Sequence, residues 1–113
     1  MRVKADIPFY YRMAGYPVDY YCAVGCDISG GGICIFSSHF IDVDTRLEMK
    51  IIFPEFRMEV IGQVRRCWMD KKTEAYKTGI EFEKIEEENQ DKLVSFIFLK
   101  QREIIQKGIA DSE

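Results

Sequence analysis

The stretch CDISGGGI, residues 26–33, places an acid, a hydroxyl and three consecutive glycines between two apolar runs. One interpretation is an Asx turn, in which Asp27 and Ser29 bond their own backbone and the glycines supply positive φ. That interpretation alone accounts for one or two glycines. Three in succession, directly after the acid and the hydroxyl, favour a backbone that opens so that a ligand can approach it without meeting side chains.

Outward from this turn the chain alternates between apolar and polar residues, which is typical of half-buried β-strands. Five such runs and one short, wholly apolar run after the glycines, Ile33 to Phe36, occur with turn residues between them and no helical pattern. They are Val3 to Met13, Tyr20 to Cys26, Ile33 to Phe36, Leu47 to Phe53, Phe56 to Trp68 and Tyr76 to Phe82. Strands at this spacing predict an antiparallel barrel or sandwich.

Two of these strands contain residues that constrain their surroundings. The odd positions of the first strand are apolar and should face inward, which leaves Lys4 and Arg12 outside. Pro8 lacks an N–H group, so it should lie at a sheet edge or turn its missing donor outward. The fifth run is long for one strand, and Gly62 should mark a bulge or bend within it.

After Lys84 the pattern becomes helical, beginning with an acidic turn that suits the positive end of a helix dipole. The predicted helix covers residues 86–107, with Gly108 as its C-cap and residues 108–113 as a flexible tail. Two adjacent faces are largely apolar, one with Leu93, Ile97, Lys100 and Ile104 and the other with Val94, Phe98, Gln101 and Ile105. We favour a helix that covers an open barrel end over one whose second face pairs with another helix.

Composition restricts the class of protein. A chain of 113 residues with 47% hydrophobic content fits one domain and can bury a core without disulfides or a metal. The net charge of −3 argues against a large basic surface for duplex nucleic acid. No apolar run approaches the roughly 18 residues of a membrane span, and the N-terminus lacks the pattern of a signal peptide. We therefore expect a cytoplasmic protein.

The four cysteines and the single histidine raise the alternatives of a zinc site and a catalytic pair. Cys22, Cys26, Cys34 and His39 are close in sequence, but they include no Cys-x-x-Cys knuckle. Cys22 and Cys26 also fall on the apolar parity of their strand, so buried, reduced thiols without a metal are the better account. Nothing marks a cysteine or the histidine as an activated nucleophile, and we expect no catalytic residue.

These features together resemble a PilZ domain over nearly the whole chain. The signature of that family is an N-terminal Arg-x-x-x-Arg and then, at the end of a strand, Asp or Asn-x-Ser-x-x-Gly. Asp27, Ser29 and Gly32 match the second element, and the stretches TGIEF (residues 78–82) and QREI (residues 101–104) also resemble family members. The resemblance implies a domain over residues 1–107, with a six-stranded antiparallel barrel over residues 1–84 and a C-terminal helix.

The family implies a bacterial signalling receptor rather than an enzyme. Its ligand is cyclic di-GMP, no cofactor is implied, and binding changes the contacts of the domain with a protein partner, here unidentified, in processes such as motility and biofilm formation. The dinucleotide would dock on the outer face of the barrel. A small anionic ligand needs local hydrogen-bond donors more than a basic overall charge.

The resemblance also implies which residues would bind the ligand. Arg2 takes the place of the second arginine of the pair, and the first would lie before Met1. Asp27 and Ser29 would hydrogen-bond guanine edges or nearby backbone, while the turn glycines would let amide N–H groups approach a phosphate or a base. The turn glycines are Gly30, Gly31 and Gly32.

A second group of candidates lies on the fifth strand. Trp68 resembles a position from which some family members offer an aromatic face to guanine, and Arg66 lies two residues before it. Trp68 is equally well explained as a rim or core aromatic. Because only one arginine of the pair is in the sequence, an alternative is a degenerate PilZ domain that binds no ligand and serves as an interaction module in pilus, flagellar or exopolysaccharide control. The intact Asp-x-Ser-x-x-Gly motif favours the receptor.

Overall fold

The computed structural model describes the backbone of residues 2–111 and the side chains of residues 2–106. In this part of the chain six strands precede one helix. The strands are β1 (Arg2–Met13), β2 (Tyr21–Ser29), β3 (Gly32–Ser37), β4 (Arg46–Ile52), β5 (Arg57–Asp70) and β6 (Ala75–Lys84), and the helix is α1 (Glu87–Asp111). Each of the six predicted runs corresponds to one strand.

The strands close into an antiparallel barrel in the order β1-β2-β3-β6-β5-β4. Closure pairs each strand on both sides, which leaves one face of the sheet for a core and the other for solvent. Fully buried side chains from all six strands fill the interior, among them Phe9, Ile28, Ile35, Met49, Val64 and Thr78, the last from β6. The prediction of an antiparallel barrel is confirmed.

The first strand follows the predicted parity over most of its length. Its odd-numbered residues from Val3 to Tyr11 are buried and Lys4 is exposed, but Met13 is 49% exposed and does not join the core. Pro8 pairs with β2 only, because the pairing of β1 with β4 begins at Phe9. A proline is therefore accommodated in a closed barrel where its strand has a neighbour on one side.

The predicted inward parity of β2 is wrong at its beginning. Cys22 and Val24 are exposed, whereas Gly25 is buried. Small residues occupy the inward positions because the interior is crowded there: a Cβ added to Gly25 would lie 3.1 Å from the Cδ1 atom of Ile33. The alternation of large apolar residues in this strand therefore marks its outer face.

A β-bulge then changes the parity of β2. The pairing with β3 shifts between Gly25 and Asp27, so that Cys26 and Asp27 together oppose Cys34. Beyond the bulge Ile28 is fully buried. The extra residue thus turns Asp27 outward while the strand still returns an apolar side chain to the core.

Two irregularities also occur in β5. The pairing with β6 shifts between Ile61 and Gly62, which confirms the predicted bulge at this glycine. A second shift lies between Val64 and Arg66. Val64 is fully buried, and the extra residue after it directs Arg66 and then Trp68 to the outer face.

Helix α1 begins at Glu87, with acidic residues in its first turn, and continues to Asp111. The predicted end near Lys107 with a cap at Gly108 is wrong, since Gly108 lies within the helix. A single glycine costs a helix only about 1 kcal/mol, which is too little to end it. Residues 112 and 113 of the predicted tail lie outside the described residues. Among the described residues, no helix combines the length and the apolar character that crossing a membrane requires.

The helix packs one face on the barrel and leaves its second apolar face in solvent. Leu93 and Ile97 are buried in the same cluster as the barrel core, which confirms the covering arrangement. The ring of Phe96 packs edge-on against Phe53, with 4.9 Å between the centroids. On the second face Phe98 is 64% exposed.

Stability should fall as the pH rises from about 10 to about 12, because of Tyr11. Burial raises the pKa of this phenol to about 12, and Tyr21 and Cys67 act in the same direction. Between the two values the unfolded chain releases the proton near its ordinary pKa of about 10, while the folded chain keeps it, so ionisation favours unfolding. Urea unfolding at several pH values should show this loss, and Tyr11→Phe should reduce it. An unchanged slope in the variant would contradict the prediction.

Candidate ligand-binding site

The site begins where the first strand passes the end of the second. Pairing of β1 with β2 sets Arg2 opposite Ser29 and Lys4 opposite Asp27. A guanidinium nitrogen of Arg2 donates to the carboxylate of Asp27 in a direct ion pair. The side chain of Asp27 is 27% exposed and that of Arg2 is 53% exposed. The structure thus joins the two predicted site residues on the outer surface of the barrel.

Ser29 bonds the backbone of its own turn. Its hydroxyl accepts a hydrogen bond from the Gly31 N–H at 3.3 Å and donates to the Gly32 carbonyl at 3.4 Å. For Ser29 the local-turn interpretation therefore describes the structure. Asp27 differs, because its carboxylate reaches across to the neighbouring strand instead of closing the turn.

The turn glycines have three different environments. A Cβ on Gly32 would lie well inside van der Waals contact with the carbonyl oxygen of Ile80, so this glycine is required for the close approach of β3 to β6. A Cβ on Gly31 would meet nothing within 4 Å, and one on Gly30 would lie 3.5 Å from the side chain of Gln90. Gly31 is therefore the position at which the backbone is open to an approaching group.

Positive φ does not explain these glycines. Among the glycines of the described residues, only Gly15 has a φ in the left-handed region. The alternative interpretation, in which the turn glycines supply positive φ in an Asx turn, is therefore wrong. Close packing explains Gly32 instead, whereas the space around Gly31 is open.

The two bulges lie in one row across the sheet. Asp27 pairs with Cys34, Cys34 pairs with Gly79, and Gly79 pairs with Arg66. We call these four positions the Asp27 row. Gly79 has no side chain, and a Cβ added there would meet nothing closer than 3.9 Å, which leaves an open strip between Cys34 and Arg66. The row therefore connects the turn with the candidates of β5.

Arg66 and Trp68 form their own pair at the far end of the row. The guanidinium carbon of Arg66 lies 4.3 Å from the centre of the Trp68 ring. Three strand spacings, about 14 Å, separate this pair from Asp27. The structure places all these predicted residues on one face, but it does not bring the β5 pair into contact with the β2 turn.

Three further cations of the barrel differ in how available they are to the Asp27 row. Lys77 lies beside Trp68 across the β5–β6 pairing, and its ammonium group is 5.3 Å from the centre of the Phe36 ring. Arg65 is engaged elsewhere, with Glu81 at 3.2 Å. Arg12, on the first strand, donates to Glu48 at 2.7 Å far along the barrel from the turn. Lys77 and Gly79 were not among the predicted site residues, because only the strand register reveals their position.

The four residues considered as zinc ligands do not lie together in one cluster. Cys22 is exposed, which corrects its predicted burial, and His39 shares a hydrogen bond of 3.2 Å with the hydroxyl of Tyr11. Cys34 is buried as predicted, whereas Cys26 is only partly buried. Of the four residues, Cys26 and Cys34 do lie close together, and their neighbour is Asp27.

The fold and this surface define a small β-barrel domain with a candidate ligand site on its outer face. The family profile described as "PilZ domain" matches residues 1–99. The chain belongs to the PilZ domain family.

Solved structures with the same fold come from several bacteria. Inhibitor of motility (MotI/DgrA) of Bacillus subtilis matches with a TM-score of 0.81 and 22% identity, over 90% of this chain and 50% of that chain. The complex of MrkH from K. pneumonia with c-di-GMP gives 0.76 and 17%, over 94% and 52%. The PilZ domain of YcgR from Escherichia coli, solved with c-di-GMP, gives 0.70 and 16%, over 96% and 94%.

At these identities, what the chain shares with the three structures is the fold. The chain spans about half the length of the MotI/DgrA and MrkH chains and nearly all of the isolated YcgR domain. No curated protein sequence matches the chain significantly.

Proposed function

We propose that this PilZ domain is a receptor module for cyclic di-GMP, with Arg2, Asp27 and the turn after it as the primary contact. The ion pair between Arg2 and Asp27 is the observation that most strongly supports the proposal. It holds a guanidinium beside a turn whose backbone is open at Gly31. MrkH and YcgR, which share the fold, were solved with this dinucleotide.

Arg2, Ser29 and Gly31 each have a chemical role in this proposal. The guanidinium of Arg2 has five N–H donors, so it can bond a phosphate or the O6 and N7 atoms of guanine while Asp27 still orients it. Ser29 holds the turn in shape through its two backbone bonds. The amide edge near Gly31 can then approach the ligand without steric hindrance.

The pair on β5 provides a second contact along the Asp27 row. The Trp68 ring stacks a guanine, either in place of Arg66 or with Arg66 on the opposite side of the base. A cyclic dinucleotide carries two bases, so one can bind at the turn while the other reaches towards β5 across the open strip at Gly79. Stacking of this kind contributes roughly 1–3 kcal/mol per base.

In this proposal the domain acts in the cytoplasm, catalyses no reaction and passes the signal to an unidentified protein partner. MotI/DgrA, which shares the fold, is an inhibitor of motility in Bacillus subtilis. Control of motility or biofilm formation is the corresponding role for this chain.

Calorimetric titration with cyclic di-GMP tests the proposal through two matched substitutions. Asp27→Ala should weaken binding by about tenfold or more, because Arg2 loses the group that orients it. Glu83→Ala is the control: Glu83 also accepts from an arginine, Arg46, at 2.7 Å, and its side chain is 34% exposed. The control should bind as the unmodified chain does. Equal affinities for all three proteins would contradict the role of Asp27.

The alternative, a domain that binds no ligand and acts through a protein partner, is favoured by the second face of α1. Val94, Phe98 and Ile105 on this face are each more than half exposed. Replacing Phe98 by Ser leaves the dinucleotide site untouched. If the control of motility or biofilm formation is lost in Phe98→Ser but retained in Asp27→Ala, the interaction module is the correct function.

A further inference from the structure

Two thiols lie beside Asp27 and have no part in the proposed contacts with the dinucleotide. The sulfurs of Cys26 and Cys34 and a carboxylate oxygen of Asp27 all lie within 4.8 Å of one another. The bulge in β2 produces this arrangement, since Cys26 and Asp27 together oppose Cys34. Cys34 is 7% exposed, while Cys26 is partly accessible. Cys26 can therefore react with a small reagent from solvent, while Cys34 is shielded beside it.

The surroundings of the two sulfurs, like their accessibility, make Cys26 the more reactive thiol. As a thiol, Cys26 donates to the carbonyl of Cys34 at 3.3 Å. As a thiolate it accepts a hydrogen bond from the Cys34 thiol, which lowers the pKa of Cys26 to about 7; Lys77 adds to this effect, while burial and Asp27 oppose it. The same hydrogen bond, together with burial, raises the pKa of Cys34. Near neutral pH the accessible sulfur is therefore the nucleophile of the pair.

We propose that Cys26 and Cys34 form a reversible disulfide in response to peroxides, and that this disulfide weakens the binding of ligand at Asp27. The first part is independent of the function proposed above. The second part rests on it, because it concerns the affinity for cyclic di-GMP.

The reaction balances with a peroxide as the only oxidant. The Cys26 thiolate attacks one peroxide oxygen, an S–O bond forms, the O–O bond breaks, and the departing oxygen takes a proton to leave as water or an alcohol. The Cys34 sulfur then attacks the sulfur of the resulting sulfenic acid, so that an S–S bond forms and water leaves. Two electrons pass from the thiols to the peroxide, and a dithiol reductant reverses the change.

The coupling to the ligand site follows from chain connectivity. A disulfide requires the sulfurs to approach to about 2 Å, and we infer that the bulged backbone at Cys26, which lies outside the regular pairing with β3, shifts towards β3 as they do. Asp27 is the next residue, and its carboxylate orients Arg2 across the other edge of β2. A displaced Asp27 no longer holds that guanidinium in place. Oxidation should therefore act on the affinity much as Asp27→Ala does.

Peroxide treatment of the reduced full chain tests the first part. Hydrogen peroxide in modest excess should remove two of the four thiols, and peptide mass mapping should find Cys26 linked to Cys34 until dithiothreitol restores both. Cys22→Ser is the matched control, because Cys22 is an exposed cysteine on the same strand, and this variant should form the same link. Cys26→Ser should abolish the link. Preferential oxidation of Cys22, or links only between molecules, would overturn the proposal.

Two further measurements separate the parts of the proposal. The alkylation rate of Cys26 by iodoacetamide should rise with pH around a midpoint of about 7, since only the thiolate reacts. Calorimetry should show about tenfold weaker binding of cyclic di-GMP to the oxidised than to the reduced protein. Equal binding by both forms would overturn the coupling alone, whereas absence of binding by the reduced protein would overturn the proposed receptor function. Stoichiometric zinc that protects both thiols would overturn the disulfide itself.

Discussion

An N-terminal extension that places an arginine four positions before Arg2 should tighten the binding of cyclic di-GMP by about a hundredfold. The family signature to which the sequence was compared contains two arginines at this spacing, and in the proposed function Arg2 takes the place of the second. A further guanidinium can make two parallel hydrogen bonds to a guanine edge or a phosphate, and a charge-assisted contact contributes roughly 1.5–3 kcal/mol. Each 1.4 kcal/mol is tenfold in affinity. Calorimetric titration of the two proteins measures the difference directly.

A lysine at the added position provides the matched control. Lysine supplies the charge without the planar fork of donors, so we expect it to recover about tenfold at most. Asp27→Ala in the arginine-extended protein should remove much of the gain while the fold persists, because Asp27 lies on the surface. If the arginine-extended protein shows no binding at high micromolar ligand, the receptor proposal is wrong and the interaction module replaces it.

The barrel could be predicted from the sequence because alternation and turn residues act locally. Four of the strands, β1, β4, β5 and β6, were predicted with the right inner face over most of their length, and buried residues such as Ile51 and Phe82 follow the apolar parity. For β2 the inner face was predicted wrongly over the first part of the strand. Its largest apolar residues face outward because the space inside accepts only small ones, as Gly25 shows. That crowding arises from β3, a different part of the chain, and no local pattern contains it.

The candidate site could be predicted only in pieces. The motif containing Asp27 and Ser29 is local, and the expected position of Arg2 follows from antiparallel pairing of neighbouring strands. The Asp27 row depends on two bulges on different strands, and each shifts the register by one residue. Since a shift of one residue moves every following side chain to the opposite face, Gly79 could not be aligned with Asp27 from the sequence. The same applies to the pair formed by Cys26 and Cys34.

Substitution of two of the turn glycines should have different effects: alanine at Gly32 should destabilise the fold, whereas alanine at Gly31 should weaken ligand binding. Gly32→Ala should destabilise the domain by about 3 kcal/mol, since the added methyl group would overlap the backbone of Ile80 and a backbone oxygen cannot rotate away. For a domain of this size that corresponds to a fall in Tm of the order of 10 °C. Urea unfolding and thermal melting followed by circular dichroism measure both quantities.

Gly31→Ala is the matched substitution one residue earlier. Its methyl group meets nothing within 4 Å and its φ is outside the left-handed region, so the free energy of unfolding should change by less than about 0.5 kcal/mol. If the backbone at Gly31 contacts the dinucleotide, the added methyl group clashes with the bound ligand and should weaken binding by about tenfold. A Gly31→Ala protein that binds with unchanged affinity would show that Gly31 serves the turn alone, and the contact surface would then lie with Arg2 and Asp27. Loss of stability in Gly31→Ala equal to that in Gly32→Ala would instead contradict the packing argument, because only Gly32 abuts β6.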